Sequence, residues 1–365
     1  MADDFGYHID HHGSLVRPAS LLAARAAGPS GDALAAATDE AVVTLAHELR
    51  RLTLNALSDG QFRRGYLESV VHDQVAGFAP VAGPTPLAGL AGIGAARVRA
   101  VPAAGALAAA GRLAQAEATP VLATVDRSVF VTLPSPGYLA AAGSALKSTA
   151  DLDAVRSAGA VLAAILRDEI SALAADGVMY VALANPLYGP LLTVDGRAAA
   201  AAAGVDAPAA LAALIEADRA VFAGLDVQPE FRVGLDLTDA GPLPLTASGY
   251  DATAVASLLD ETPFPRFSID YPADPVARFP LELVKPGIVV SLGAVDVATP
   301  ALETVDEILD RIDPVAEERG DADIAVAPNG GFAQVADQPT MTATEQRAKL
   351  QLVEMVARYY WGNEI

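Results

Sequence analysis

Val129-Phe130-Val131-Thr132-Leu133, then residues 152–175, then Val178-Met179-Tyr180-Val181-Ala182-Leu183-Ala184: this stretch decides the fold. Its two short ends are apolar and rich in β-branched and aromatic residues, the composition of strands buried on both faces. The long middle places Val155, Leu162, Ile165, Leu166, Ile170 and Leu173 at helical spacing, and Gly177 supplies a C-terminal stop. Strand, helix, strand in that order is a βαβ unit, whose two strands lie parallel.

The same alternation continues in both directions. Further strands are expected at residues 7–11, 54–59, 231–237, 266–271, 288–295 and 324–327, each from its apolar and β-branched content. The last helix opens on Thr342-Ala343-Thr344-Glu345, a capping-box pattern, and runs through Leu350, Val353, Met355 and Val356. Eight strands alternating with helices predict an α/β fold, a (β/α)8 TIM barrel with insertions, whose active face is the C-terminal end of the strands. Residues 1–365 read as a single domain with no internal repeat and no dividing linker. Three stretches read as insertions or lids. Residues 77–119, rich in Ala, Gly and Pro, are expected to hold a hairpin before the third strand. Residues 188–208 contain an alanine run, and residues 238–251 have the Gly, Pro and Ser content of a loop.

Over half the residues are apolar, so a large core is expected, and abundant alanine with few aromatics suggests close helix packing. A net charge of −21 argues against nucleic acid and anionic membrane as partners. No apolar run approaches the roughly 20 residues that span a bilayer. Met1-Ala2-Asp3-Asp4 lacks the basic region of a signal peptide. The chain has no cysteine, which excludes disulfides and thiolate chemistry. A cytoplasmic location and a small-molecule substrate are expected; a homo-oligomer is left open.

Six short segments, spread from end to end, carry a resemblance. They are His12-Gly13-Ser14-Leu15-Val16-Arg17-Pro18, Asp59-Gly60-Gln61-Phe62-Arg63-Arg64, Thr132-Leu133-Pro134-Ser135-Pro136, Ser291-Leu292-Gly293-Ala294-Val295, Pro328-Asn329-Gly330-Gly331-Phe332 and Trp361-Gly362. Together they resemble the C-terminal catalytic domain of cobalamin-independent methionine synthase and its stand-alone paralogues. The resemblance implies a zinc that binds a thiol as thiolate and presents it to a methyl donor. It also implies a His-x-Cys where this chain has Gly234-Leu235-Asp236, a Glu where it has Asp270, and a Cys where it has Gly330. No His or Cys ligand survives, so zinc is not expected here, nor any other cofactor. The family's amino-acid-binding acids fall on Gln61 and on Ala184-Asn185-Pro186, which removes the charge that would pair with an ammonium group. The Gly13-Ser14 loop persists and could hold an anion through its N–H groups and hydroxyl.

What could replace the lost chemistry is read from the remaining polar residues. All five histidines lie within the first 72 residues, three of them in His8-Ile9-Asp10-His11-His12. His11 or His12 is a candidate general acid or base, since imidazole titrates near neutral pH; against this, such residues also serve to cap loops. Asp236 and Asp270 end neighbouring strands and could form a paired-carboxylate site for acid–base work or for a hard cation such as magnesium. A zinc site from His11, His12, Asp236 and Asp270 is disfavoured, because adjacent histidines cannot easily aim both rings at one ion. Arg17 is a candidate anion clamp; Arg63 and Arg64 read equally well as ion-paired surface residues. Gln61, Asn185, Tyr250 and Asn329 are candidate substrate contacts; Tyr250 and Tyr271 are also packing residues by type. No P-loop or dinucleotide-binding glycine motif is present.

The expectation is a divergent enzyme on this scaffold that acts without thiol-activating zinc on a small anionic metabolite by acid–base or electrostatic catalysis. Two alternatives stand beside it. One is a zinc-independent methyl or alkyl transferase that keeps the family's donor; the other is a non-catalytic ligand-binding barrel.

Overall fold

The computed structural model describes residues 8–28, 31–101, 107–238 and 248–362. A curled parallel sheet of seven strands forms the centre: β1 (Ala56–Leu57), β2 (Ser128–Pro134), β3 (Tyr180–Ala184), β4 (Arg232–Asp236), β5 (Arg266–Asp270), β6 (Val289–Val295) and β7 (Ile324–Pro328). Neighbours in sequence are neighbours in the sheet, in the order β1 to β7. This is the topology that successive right-handed βαβ units produce. The strands are almost wholly buried, because helices cover the outer face and side chains fill the interior.

The eighth expected strand, residues 7–11, is reduced to a single bridge. Tyr7 lies outside the described residues, and Ile9 pairs in parallel with Val326, whose N–H donates to the His8 carbonyl at 2.8 Å. The chain then turns sharply. The Asp10 carboxylate accepts the His12 N–H at 2.7 Å, and His12 has a positive φ of 51°. On the β1 side, the Ile9 N–H donates to the Asn55 side chain at 3.3 Å rather than to backbone. Among the described residues the sheet is therefore a seven-stranded arc bridged at one edge, and a full backbone closure of the barrel is not made.

The helices follow their sequence signals. Helix Thr149–Asp176 starts at a capping box of Ser148 and Asp151 and stops at Gly177, with φ of 103° in the left-handed region. Helix Ala343–Trp361 starts at the Thr342–Glu345 capping box. Residues 188–208, the second expected insertion, carry helices Tyr188–Leu192 and Val194–Ala202 and the start of Ala207–Arg219. Residues 239–247 of the third expected loop lie outside the described residues. Among the described residues no single helix is long and apolar enough to cross a membrane.

The segment between β1 and β2 positions part of the site. It contains two short antiparallel pairs, Val75–Ala76 with Ala108–Ala109 and Ala79–Pro80 with Arg99–Ala100. They enclose helix Pro86–Leu90 and the 3-10 turn Ala95–Arg97. Leu87, Ala88, Ile93 and Val98 are buried, so this excursion is docked on the barrel. Gly143, after β2, packs so closely beneath the Arg99 carbonyl that any side chain there would collide with it.

Candidate functional site

At the C-terminal end of the strands, Asp10 and the positive φ of His12 turn the chain back across the mouth. His12 Nε2 lies 2.6 Å from Thr238 Oγ1 and 3.2 Å from Asp236 Oδ2. Asp236 Oδ1 accepts the Thr238 N–H at 3.0 Å and its hydroxyl at 2.7 Å. The hydroxyl has one proton and gives it to the carboxylate, so the proton between His12 and these two oxygens belongs on Nε2. Burial alone would push the Asp236 carboxyl up; the facing His12 and the Thr238 donors outweigh it and hold the carboxyl below its ordinary range. The group is therefore an ionised carboxylate at the floor of the mouth.

Asp236 and Thr238 line a pocket together with Gly13, Ser14, Gln61, Leu67, Arg97, Thr132, Ala184, Pro186 and Gln334. The cavity proper is narrow, ≈ 30 Å³, inside ≈ 430 Å³ of empty space that includes its open mouth. Ser14 is 3% exposed, and among the described residues its hydroxyl has no hydrogen-bond partner. An unpaired buried hydroxyl costs stability, so one at a pocket wall is poised for a ligand. Gln61 takes the left-handed φ of 58°, with its N–H on Asp59 Oδ1 at 2.8 Å.

Other expected site residues face elsewhere, for identifiable reasons. Arg17 is no anion clamp: its guanidinium is buried and donates to the carbonyls of Leu15, Ala333, Gln61 and Arg64. Arg64 forms a buried two-pronged pair with Glu117 at 2.8 and 2.6 Å, and Arg63 pairs with Asp39. His11 is held neutral. Its Nδ1 meets the His12 carbonyl at 2.8 Å, its Nε2 accepts the Ser58 N–H at 3.1 Å, and burial pushes its pKa down to about 4. Asn185 is fully buried and donates to Asp218 at 2.9 Å, away from the pocket. Asn329 closes a loop by accepting the Val297 N–H at 2.9 Å. Asp270 lies two residues beyond Ser268, the sheet partner of Asp236, and does not line the pocket. It sits instead near Tyr250, whose phenol is pushed up first by burial and then by that carboxylate.

Arg97, Thr132, Thr238 and Gln334 line the pocket without having been singled out in the sequence. Thr132 lay within a quoted motif, and Arg97 is one of few cations in the alanine-rich segment before β2. Neither signal says which way the side chain points.

The residues present do not fit a thiol-activating zinc. The space that a side chain at residue 234 would take is filled by the Tyr180 ring. The Arg266 guanidinium lies over that ring at 5.5 Å and pairs with Asp10 at 3.3 Å. A fixed cation inside the barrel and oxygen donors at its mouth do not make a soft sulfur-compatible site. Among the described residues no three His, Cys, Asp or Glu side chains are grouped as metal ligands.

No family pattern matches the sequence, and no curated protein matches it either. Solved structures do match. One is a putative vitamin B12-independent methionine synthase from Listeria monocytogenes, with TM-score 0.69 and 17% identity, covering 98% of each chain. Another is a B12-independent methionine synthase from a Shewanella species in complex with selenomethionine, with TM-score 0.72 and 17% identity, covering 97% of each chain. The chain has the fold of cobalamin-independent methionine synthase-like proteins over nearly its whole length. At this identity the likeness is one of fold, and function must be argued from the site.

Proposed function

We propose that this protein is an enzyme that uses the methionine synthase-like scaffold for zinc-independent acid–base chemistry on a small metabolite bearing an anionic group. The observation that carries the reading is the convergence, on one pocket, of an unpaired buried hydroxyl at Ser14 and the His12–Thr238–Asp236 network. Ser14 and Gln61 hold the substrate. Thr238 touches it, and a proton reaches it from protonated His12: the Thr238 hydroxyl turns from Asp236 Oδ1 to the substrate, gives up its own proton there and takes the Nε2 proton in its place. Asp236 stays ionised beside the ring and offsets the charge that the ring carries.

The solved relative from Shewanella holds selenomethionine, an amino acid, and that precedent supports a ligand of a few heavy atoms. The test is depletion of a metabolite from a small-molecule extract by the purified protein, followed by mass spectrometry. Asp236→Asn and Thr238→Val are expected to stop the depletion. Full activity in both variants contradicts the reading.

A further inference from the structure

Arg97 is the cation that lines the pocket, and it reaches it from outside the barrel, on the 3-10 turn Ala95–Arg97. Its guanidinium is clamped side-on by Glu68, with Nη2 on Oε1 at 2.9 Å and Nε on Oε2 at 3.2 Å. Glu68 is buried and also accepts the Tyr138 hydroxyl. The third nitrogen, Nη1, is directed toward Gln334 at 3.4 Å, a long contact to another pocket residue. The Nε–Nη2 edge of the fork is thus held by Glu68, and Arg97 and Gln334 both line the cavity. Leu67, Ala184 and Pro186 supply an apolar wall, and Asp236 supplies negative charge on the barrel side.

We infer that Arg97 is the specificity-determining residue that receives the anionic end of the ligand, and that the clamp by Glu68 selects a singly charged carboxylate over a phosphate. The inference rests on the small-anion reading above and names the anion. The physical reason is charge balance. Arg97 and Glu68 sum to zero, so the pair offers a directed, charge-assisted donor to one carboxylate without the surplus charge that a dianion requires. A phosphate would meet Glu68 behind Arg97, with Asp236 on the facing side. The expected ligand class is therefore a short apolar or polar chain ending in one carboxylate.

Binding is measured by calorimetric titration of butanoate, its neutral isostere butanamide, and butyl phosphate. Wild type is expected to bind butanoate best. Arg97→Gln is expected to weaken butanoate by roughly 10- to 100-fold, the range for losing a hydrogen bond to a charged group. Because Arg97→Gln strands a buried carboxylate and could unfold the chain, the double variant Glu68→Gln/Arg97→Gln keeps the region neutral and must show the same loss. Glu68→Gln alone uncovers the cation and is expected to shift preference toward butyl phosphate, which a merely structural pair would not do. The inference is overturned if butanoate binding survives in the double variant, if Glu68→Gln leaves the preference unchanged, or if wild type binds none of the three. Binding is read here without turnover, so proton transfer at His12 and Asp236 stands or fails separately.

Discussion

Ser14 and His11 sit within four residues of each other and illustrate opposite uses of a buried polar group. Among the described residues the Ser14 hydroxyl has no partner, so the fold gains no hydrogen bond from it. Ser14→Ala is expected to leave stability unchanged or to raise it by up to about 1 kcal/mol in urea unfolding, while weakening ligand binding. Stability that falls by several kcal/mol would mean the hydroxyl is structural. His11 has both ring nitrogens engaged and is neutral, with its pKa pushed down by burial to about 4 from 6.5. The folded state then binds fewer protons than the unfolded chain between those values. Its contribution is fully present above pH 6.5 and is lost as pH falls through about 4, an effect on the order of 2–3 kcal/mol. Asp59, pushed up to about 7 by burial and then by Glu117, acts in the opposite sense. Comparison of His11→Gln with wild type isolates the histidine: the variant is expected to lose less stability between pH 7 and pH 4.5. Equal slopes would show that His11 is not the titrating group. In the sequence, His11 and His12 looked equivalent. Only the turn at Asp10 and the approach of Ser58 to one ring and Thr238 to the other distinguish them, and those contacts join residues 47 and 226 positions apart.

At the level of elements, local signals read well and long-range ones read poorly. Strands β2 to β7 fall within a residue or two of their apolar runs, because a strand buried on both faces must be apolar throughout. The helix stop at Gly177 and the capping box at Thr342 were equally plain, whereas the capping box at Ser148 was not picked out. The first strand was not, because its length is set by a turn that a side chain, Asp10, imposes. Residues 188–208 read as an insertion or lid around an alanine run; alanine is a strong helix former, and most of the run lies in helix Val194–Ala202. Ser148→Ala removes the cap of Thr149–Asp176, which is remote from the pocket. It is expected to cost about 1 kcal/mol in thermal or chemical unfolding with ligand binding unchanged. A change in binding would couple that helix to the site in a way this geometry does not.

Across the whole molecule, the fold is that of cobalamin-independent methionine synthase-like proteins, and the chemistry is argued from the residues at its mouth. The polar residues that line the mouth come from the Gly13-Ser14 and Gln61 loops, from Thr132 on β2, from the end of β4 and just beyond it, from Gln334 after β7 and from the docked segment before β2. Gly143 is where that last segment seats on the barrel. Gly143→Ala is expected to displace the Arg99 strand, cost about 1–3 kcal/mol, and reduce the preference for carboxylate by moving Arg97. Retention of both stability and preference would show that the seat is not needed. The motif-bearing residues indicated where the mouth would be, and Gly13, Ser14, Gln61 and Thr132 among them line it. They could not show that Arg17 is buried among carbonyls or that Arg97 reaches the pocket, since both depend on how loops dock. The proposed chemistry is proton transfer at His12, Thr238 and Asp236 without zinc. It is tested most directly by following depletion of the substrate metabolite with protein stripped of metal by a chelator, wild type beside Asp236→Asn. Stripped wild type is expected to remain active and the variant to be inactive. Activity lost on stripping and restored by zinc, or undiminished in Asp236→Asn, would contradict it.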